Sequence, residues 1–192
     1  MSWTKIIQGE ELTRLHERLD LPPHYTIQEA STMQAPFYRN GELVKMIIDM
    51  DLAFMVAAGP GDLSAQEYYP LTGKSADIHA ANEAAGLALT RDNVIAYVRF
   101  FTTFLQTDAG ESFVIVESLN GYRLVNEDKP DQRMPEDMRF VCMGETADGD
   151  AFAFKGYMVY QGVLFGVSMR VQKNGYVEML DDDPMGFIVR LQ

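Results

Sequence analysis

Seven residues of this 192-residue chain lie close enough together in sequence to do chemistry without any long-range assumption. Tyr68 and Tyr69 precede a turn at Pro70. Lys74 and Ser75 then open an Ala-rich helix whose one polar face carries His79, Asn82 and Glu83. Aromatic walls, N–H donors at a helix start, a cation and a His–carboxylate pair at i,i+4 are the parts of a small-molecule pocket. The helix-start N–H groups and Lys74 suit an acidic group on the ligand, so a small anionic molecule is the expected occupant. In a catalytic version of the pocket, His79 or Glu83 would serve as acid or base.

Other constellations are incomplete. Thr72-Gly73-Lys74-Ser75 matches the end of a phosphate-binding loop, G-x-x-x-x-G-K-[ST], which must follow a buried strand. The first glycine position is Tyr68, and Leu63 to Glu67 does not read as a buried strand. Anion contact survives that test and nucleotide hydrolysis does not; an ordinary Ser-capped helix is the plainer reading. His79 and Glu83 offer two metal ligands, and two ligands are not a site. No metal and no cofactor are expected. His16 and His24 read as structural. The single Cys142, in Phe140-Val141-Cys142-Met143, reads as a small core hydrophobe with no local base to activate it. The 12 Met residues read mainly as core filling.

Met46-Ile47-Ile48-Asp49-Met50-Asp51 resembles the strand-then-DxD start of haloacid-dehalogenase-like phosphotransferases. The resemblance implies Asp49 as nucleophile and Asp51 as acid/base, with Asp181-Asp182-Asp183 standing for the later metal-binding carboxylates. It covers only these residues, and the position two after Asp51, usually Thr or Val, is Ala53. It also implies a parallel βαβ sheet, and no such alternation surrounds either segment. Two solvent-facing carboxylates at a strand end are therefore the expectation.

The elements that must hold these residues in place follow from periodicity. Glu10 to Leu19 is a short helix with Leu12, Leu15 and Leu19 on one stripe, stopped by Pro22-Pro23. Ser75 to Ala85 is the Ala-rich helix. Thr90 caps a third helix, Arg91 to Gln106, with Val94, Tyr97, Val98, Phe101, Phe104 and Leu105 on a broad apolar face. Three Asn-Gly pairs, Asn40-Gly41, Asn120-Gly121 and Asn174-Gly175, lie between β-forming runs and predict type I′ hairpin turns. Gly59 to Asp62 reads as a further turn. The strands Ala151 to Tyr160, Val163 to Val171, Tyr176 to Leu180 and Phe187 to Leu191 form a meander with short connections, one of them the acidic Asp181 to Pro184.

The fold class expected is α+β: a curved antiparallel β-sheet, mostly from the C-terminal half, packed against two or three helices. The whole of 1–192 reads as a single domain. Its N-terminal helical and hairpin portion covers 1–110 and its antiparallel meander 111–192, with an acidic, Pro-containing loop at about 126–137. The element order resembles cystatin-like and NTF2-like folds, a likeness of architecture only.

A composition that is 47% hydrophobic supports a packed core. A net charge of -12 repels phosphate backbones and anionic lipid, so neither nucleic acid nor membrane is an expected partner. The N-terminus shows no apolar signal stretch, and a cytoplasmic location is the default expectation. Two functional readings follow. The first is a non-catalytic ligand-binding or protein-interaction domain, alone or as a homodimer. The alternative is a small-molecule enzyme with a pocket near Tyr69, His79 and Glu83.

Overall fold

The computed structural model describes residue 3 and residues 5–60, 65–107 and 109–191. Part of the turn expected at Gly59 to Asp62, namely Gly61 and Asp62, lies outside them. The chain divides into two compact units, Met1–Ala88 and Leu89–Gln192. The third helix, grouped by sequence with the N-terminal portion, belongs to the second unit. The architecture is α+β with antiparallel sheets, as expected.

The first unit is an antiparallel meander. Strands β1 (Lys5–Ile7), β2 (Ile27–Gln34), β3 (Gly41–Ile48), β4 (Asp51–Ala58) and β5 (Glu67–Pro70) lie in sequence order. Helix α1 (Glu10–Arg18) uses the expected leucine stripe. Leu15 is buried in a cluster with Ile7, Ile27, Ala30, Val44, Met46 and Ala57, and Leu12 and Leu19 pack on its margin. Helix α2 (Ser75–Ala84) packs on β4 and β5. Pro70 is tolerated because β5 is an edge strand.

In the second unit, helix α3 (Val94–Phe104) precedes β6 (Val114–Val116), β7 (Tyr122–Val125), β8 (Val141–Glu145), β9 (Ala151–Tyr160), β10 (Val163–Gln172) and β11 (Val177–Arg190). The strand order is β6-β9-β10-β11-β7, with β8 also paired to β9. Regular helix starts at Val94 rather than Arg91. The N–H groups of Asn93 and Val94 both donate to Thr90 O, and Asn93 Oδ1 accepts the Thr90 N–H at 2.8 Å. The β-branched and aromatic run of α3 has modest helix propensity, so burial must hold it. Tyr97, Val98 and Val94 are fully buried, and the Tyr97 hydroxyl donates to Gly175 O at 2.7 Å.

This sheet must curl. The chain passes from Val116 to Tyr122 in six Cα steps, a reach of at most about 22 Å. Val116 is level with Tyr157 and Gly166, whereas Tyr122 pairs with Arg190, beyond the β9–β10 turn. A flat sheet would separate them by roughly 28 Å, from four strand spacings sideways and six residues lengthways. Only a curled sheet brings the two edges within reach.

The Asn-Gly turns differ from expectation. Gln172 to Tyr176 does close a tight hairpin, but as a wider turn with only Gly175 at positive φ. Asn40-Gly41 ends a longer β2–β3 connection, where Gly41 is needed for close approach: a Cβ there would meet Ala85 Cβ at 2.5 Å. Asn120-Gly121 joins β6 to β7, which lie at opposite edges and do not pair. The two-residue turns with both φ positive are Asp49-Met50, between β3 and β4, and Gln161-Gly162, between β9 and β10. This placement overturns the phosphotransferase resemblance: Asp49 sits in an antiparallel hairpin turn, its carboxylate accepting the Thr26 N–H at 3.0 Å. Asp181 to Pro184 is likewise not a loop but the middle of the 14-residue β11. Pro184 is accommodated beside a register shift, where β7 no longer covers that edge.

Candidate functional site

The two tyrosines of the expected pocket alternate to opposite faces of β5. Tyr68 packs on the margin of the α1 core cluster. Tyr69 turns its hydroxyl to Glu67, donating to Oε2 at 2.8 Å. That hydrogen bond, with help from burial and from the Glu67 and Glu83 charges, raises the Tyr69 phenol above its ordinary pKa. Both tyrosines line a shallow cleft of about 410 Å³ along the β5 edge with Arg18, Leu19 and Glu67.

The helix side of the patch is arranged differently from expectation. Lys74 and Ser75 are exposed at the start of α2, and no side chain caps it. Asp77 in the first turn supplies the carboxylate that the helix dipole favours, and the Thr72 hydroxyl donates to it. Asn82 is only 3% exposed, and its amide oxygen accepts the Tyr38 hydroxyl at 2.9 Å. His79 is half-buried and Glu83 exposed. The fold thus joins Tyr68, Tyr69 and, electrostatically, Glu83. It does not bring Lys74, Ser75, His79 or Asn82 to the walls of that cleft.

A second cleft, of about 420 Å³, lies on the sheet of the second unit. Register builds it. Lys155, Ser168 and Asp181 are directly opposite one another on β9, β10 and β11; Tyr157, Gly166 and Asp183 form the next row on the same face. Val141 and Met143 of β8 flank it, and Asp137 and Arg139 stand at its rim. Gly166 leaves the floor bare: the nearest atom to an added Cβ would be Tyr157 Cε1 at 3.8 Å.

The charges on this face fall into two groups. Arg139 and Asp137 neutralise each other: Nε donates to Oδ1 at 2.9 Å and Nη2 to Oδ2 at 2.6 Å. The Arg139 guanidinium holds the Asp137 carboxyl down at about 2. By contrast, the side chains of Lys155, Asp181 and Asp183 make no hydrogen bond or ion pair among the described residues. Two strand spacings place the Lys155 and Asp181 backbones about 10 Å apart. Ser168 stands between them and is not hydrogen-bonded to Lys155.

Sequence reasoning missed this face because it took Asp181 to Asp183 as a connection. The signal was present: Lys155-x-Tyr157, Gly166-x-Ser168 and Asp181-x-Asp183 each repeat with the period of a strand. Among the described residues, no group of three or more His, Cys, Asp and Glu is arranged to hold a metal ion, and no helix is long and apolar enough to cross a membrane.

Fold and site together define an α+β protein with a charged cleft on a curled antiparallel sheet. In comparisons with known protein families, curated proteins and solved structures, nothing matches the chain.

Proposed function

We propose that the protein is a non-catalytic binding domain whose ligand is a short molecule carrying both an ammonium and a carboxylate, such as a di- or tripeptide with free ends. The observation that carries this reading is the set of unpaired, opposite charges on one face of the sheet, Lys155 against Asp181 and Asp183. The acidic group expected of the ligand falls to Lys155 and its ammonium to the two aspartates. The cleft volume lies at the small end of ligand sites, and Tyr157 beside Lys155, with Val141 and Met143 on the β8 flank, offers apolar contact. Binding fits better than catalysis. A nucleophile needs its base within hydrogen-bond reach, and Lys155 and Ser168 are neighbours without that bond.

Calorimetric titration with triglycine tests the reading. Lys155→Glu and Asp181→Lys should each weaken binding by about tenfold or more, since a charge-assisted contact is worth ~1.5–3 kcal/mol. N-acetylated or C-amidated triglycine should bind correspondingly less. Equal affinity for the blocked and free peptides would refute the proposal. A second reading keeps the ligand in the Tyr68–Tyr69 cleft, favoured by the Tyr69–Glu67 pair. There Glu67→Gln would reduce binding and Lys155→Glu would not.

A further inference from the structure

The three Asn-Gly pairs carry a reactivity of their own. In such a pair the glycine backbone nitrogen can attack the asparagine side-chain carbonyl carbon. A carbon–nitrogen bond forms, the side-chain amide leaves as ammonia, and a five-membered succinimide results. Water then opens the ring at either carbonyl, giving aspartate or isoaspartate. Glycine favours the closure because no Cβ obstructs it. The attack requires a glycine N–H that is not tied up in a hydrogen bond and an asparagine side chain free to swing onto it.

The fold withholds both conditions at Asn174-Gly175, and at Asn40-Gly41 it holds the backbone that the ring closure must bend. Gly175 is buried; its N–H donates to Gln172 O at 2.8 Å and its carbonyl accepts the Tyr97 hydroxyl. Asn174 Oδ1 accepts the Tyr176 N–H at 3.0 Å, which holds that side chain in place. Gly41 is buried within β3 opposite Ala58 and against Ala85. The preceding Asn40 is fastened on both sides, its N–H to Ala85 O at 3.0 Å and its carbonyl to the Gly59 N–H at 2.9 Å.

Asn120-Gly121 is different. Both residues are exposed, and nothing lies within 4 Å of the space a Gly121 Cβ would fill. Neither the Asn120 side chain nor the Gly121 N–H has a hydrogen-bond partner among the described residues. The turn is closed around them by the Tyr122 N–H donating to Leu119 O at 3.0 Å.

We infer that Asn120 is a site of spontaneous, backbone-assisted deamidation and that the fold confines this chemistry to it among the three pairs. The product adds a carboxylate at the β6–β7 turn. In the isoaspartyl form it also adds a methylene to the main chain beside Gly121, whose carbonyl accepts the Leu191 N–H at 2.7 Å and ties the start of β7 to the end of β11.

The test is peptide mass spectrometry of the full chain, held in mildly alkaline buffer with and without denaturant. In the native protein the peptide containing Asn120 should gain the mass of an amide-to-acid conversion and split into two chromatographic products. Asn174 and Asn40 should lag by about tenfold or more, because their reaction waits on local opening of hydrogen bonds. In denaturant the three should react at similar rates. Asn120→Gln should abolish the native signal and leave the other two peptides unchanged. Conversion of Asn174 or Asn40 as fast as Asn120 in the native protein would overturn the inference, as would retention of the Asn120 amide while the denatured chain loses all three.

Discussion

Asn82 sits at a helix position that sequence spacing cannot tell apart from a ligand contact. It shares a face with His79 and Glu83, but the side chain points to the interior and accepts the Tyr38 hydroxyl. A buried hydroxyl left without its acceptor costs more than the bond itself contributes. Asn82→Ala should therefore destabilise the protein by about 1–3 kcal/mol in urea unfolding. Adding Tyr38→Phe should recover part of that loss, because both partners are then gone. Strictly additive effects in this double-mutant cycle would mean that the hydrogen bond does not carry Asn82's contribution. The same distinction separates the charged residues of the second unit. Arg139 and Arg99 are committed to Asp137 and Glu117, and the Arg99 bond, the largest influence, lowers the Glu117 carboxyl pKa. The Lys155 side chain has no such partner among the described residues, which is why the proposed binding role falls to it rather than to either arginine.

At the scale of elements, periodicity located most segments and turn chemistry misplaced several joints. The α1 stripe, α2, β9, β10 and the short turn between those strands all lie where the sequence puts them, because each is specified by its own residues. Asn-Gly was a poorer guide. Its glycines answer to tertiary demands, such as the approach of Ala85 to Gly41, that no local window contains. Likewise Asp181 to Pro184 resembles a loop by composition, but neighbouring strands hold it in a sheet. The candidate cleft was missed for that reason: the period-two signal was there, but its rows form only once β9, β10 and β11 are in register. The true two-residue turn at Asp49-Met50 places a side chain at φ 74 where glycine is preferred. Met50 is 81% exposed, so its side chain has little packing to lose. Met50→Gly should stabilise the protein by about 0.5–1 kcal/mol, the left-handed penalty relieved less the added chain entropy. A lowered urea midpoint would show that Met50 makes contacts that outweigh its backbone cost.

At the scale of the whole molecule, charge is the property that composition fixes and folding cannot remove. The acidic excess is shared equally between the two units, so neither neutralises the other. The ion pairs that form, such as Arg170–Asp148 at 3.0 Å and Lys173–Glu145 at 3.5 Å, lie at partly exposed positions. Pairs of that kind are worth about 0–1 kcal/mol each and weaken with salt. Against them stands the repulsion of a net charge of -12, which acts over the whole surface and weakens the compact state. Salt opposes both effects but not equally. Contact pairs are screened little at their short separations, whereas repulsion between distant carboxylates is lost as the Debye length falls from about 30 Å at 0.01 M to about 8 Å at 0.15 M. The melting temperature should therefore rise over that range of sodium chloride, and rise less for a variant in which Asp181, Asp182 and Asp183 are all replaced by Asn. That run packs three carboxylates onto consecutive positions of β11. A melting temperature that falls with salt would mean the surface pairs, not the net charge, dominate the electrostatics of this fold.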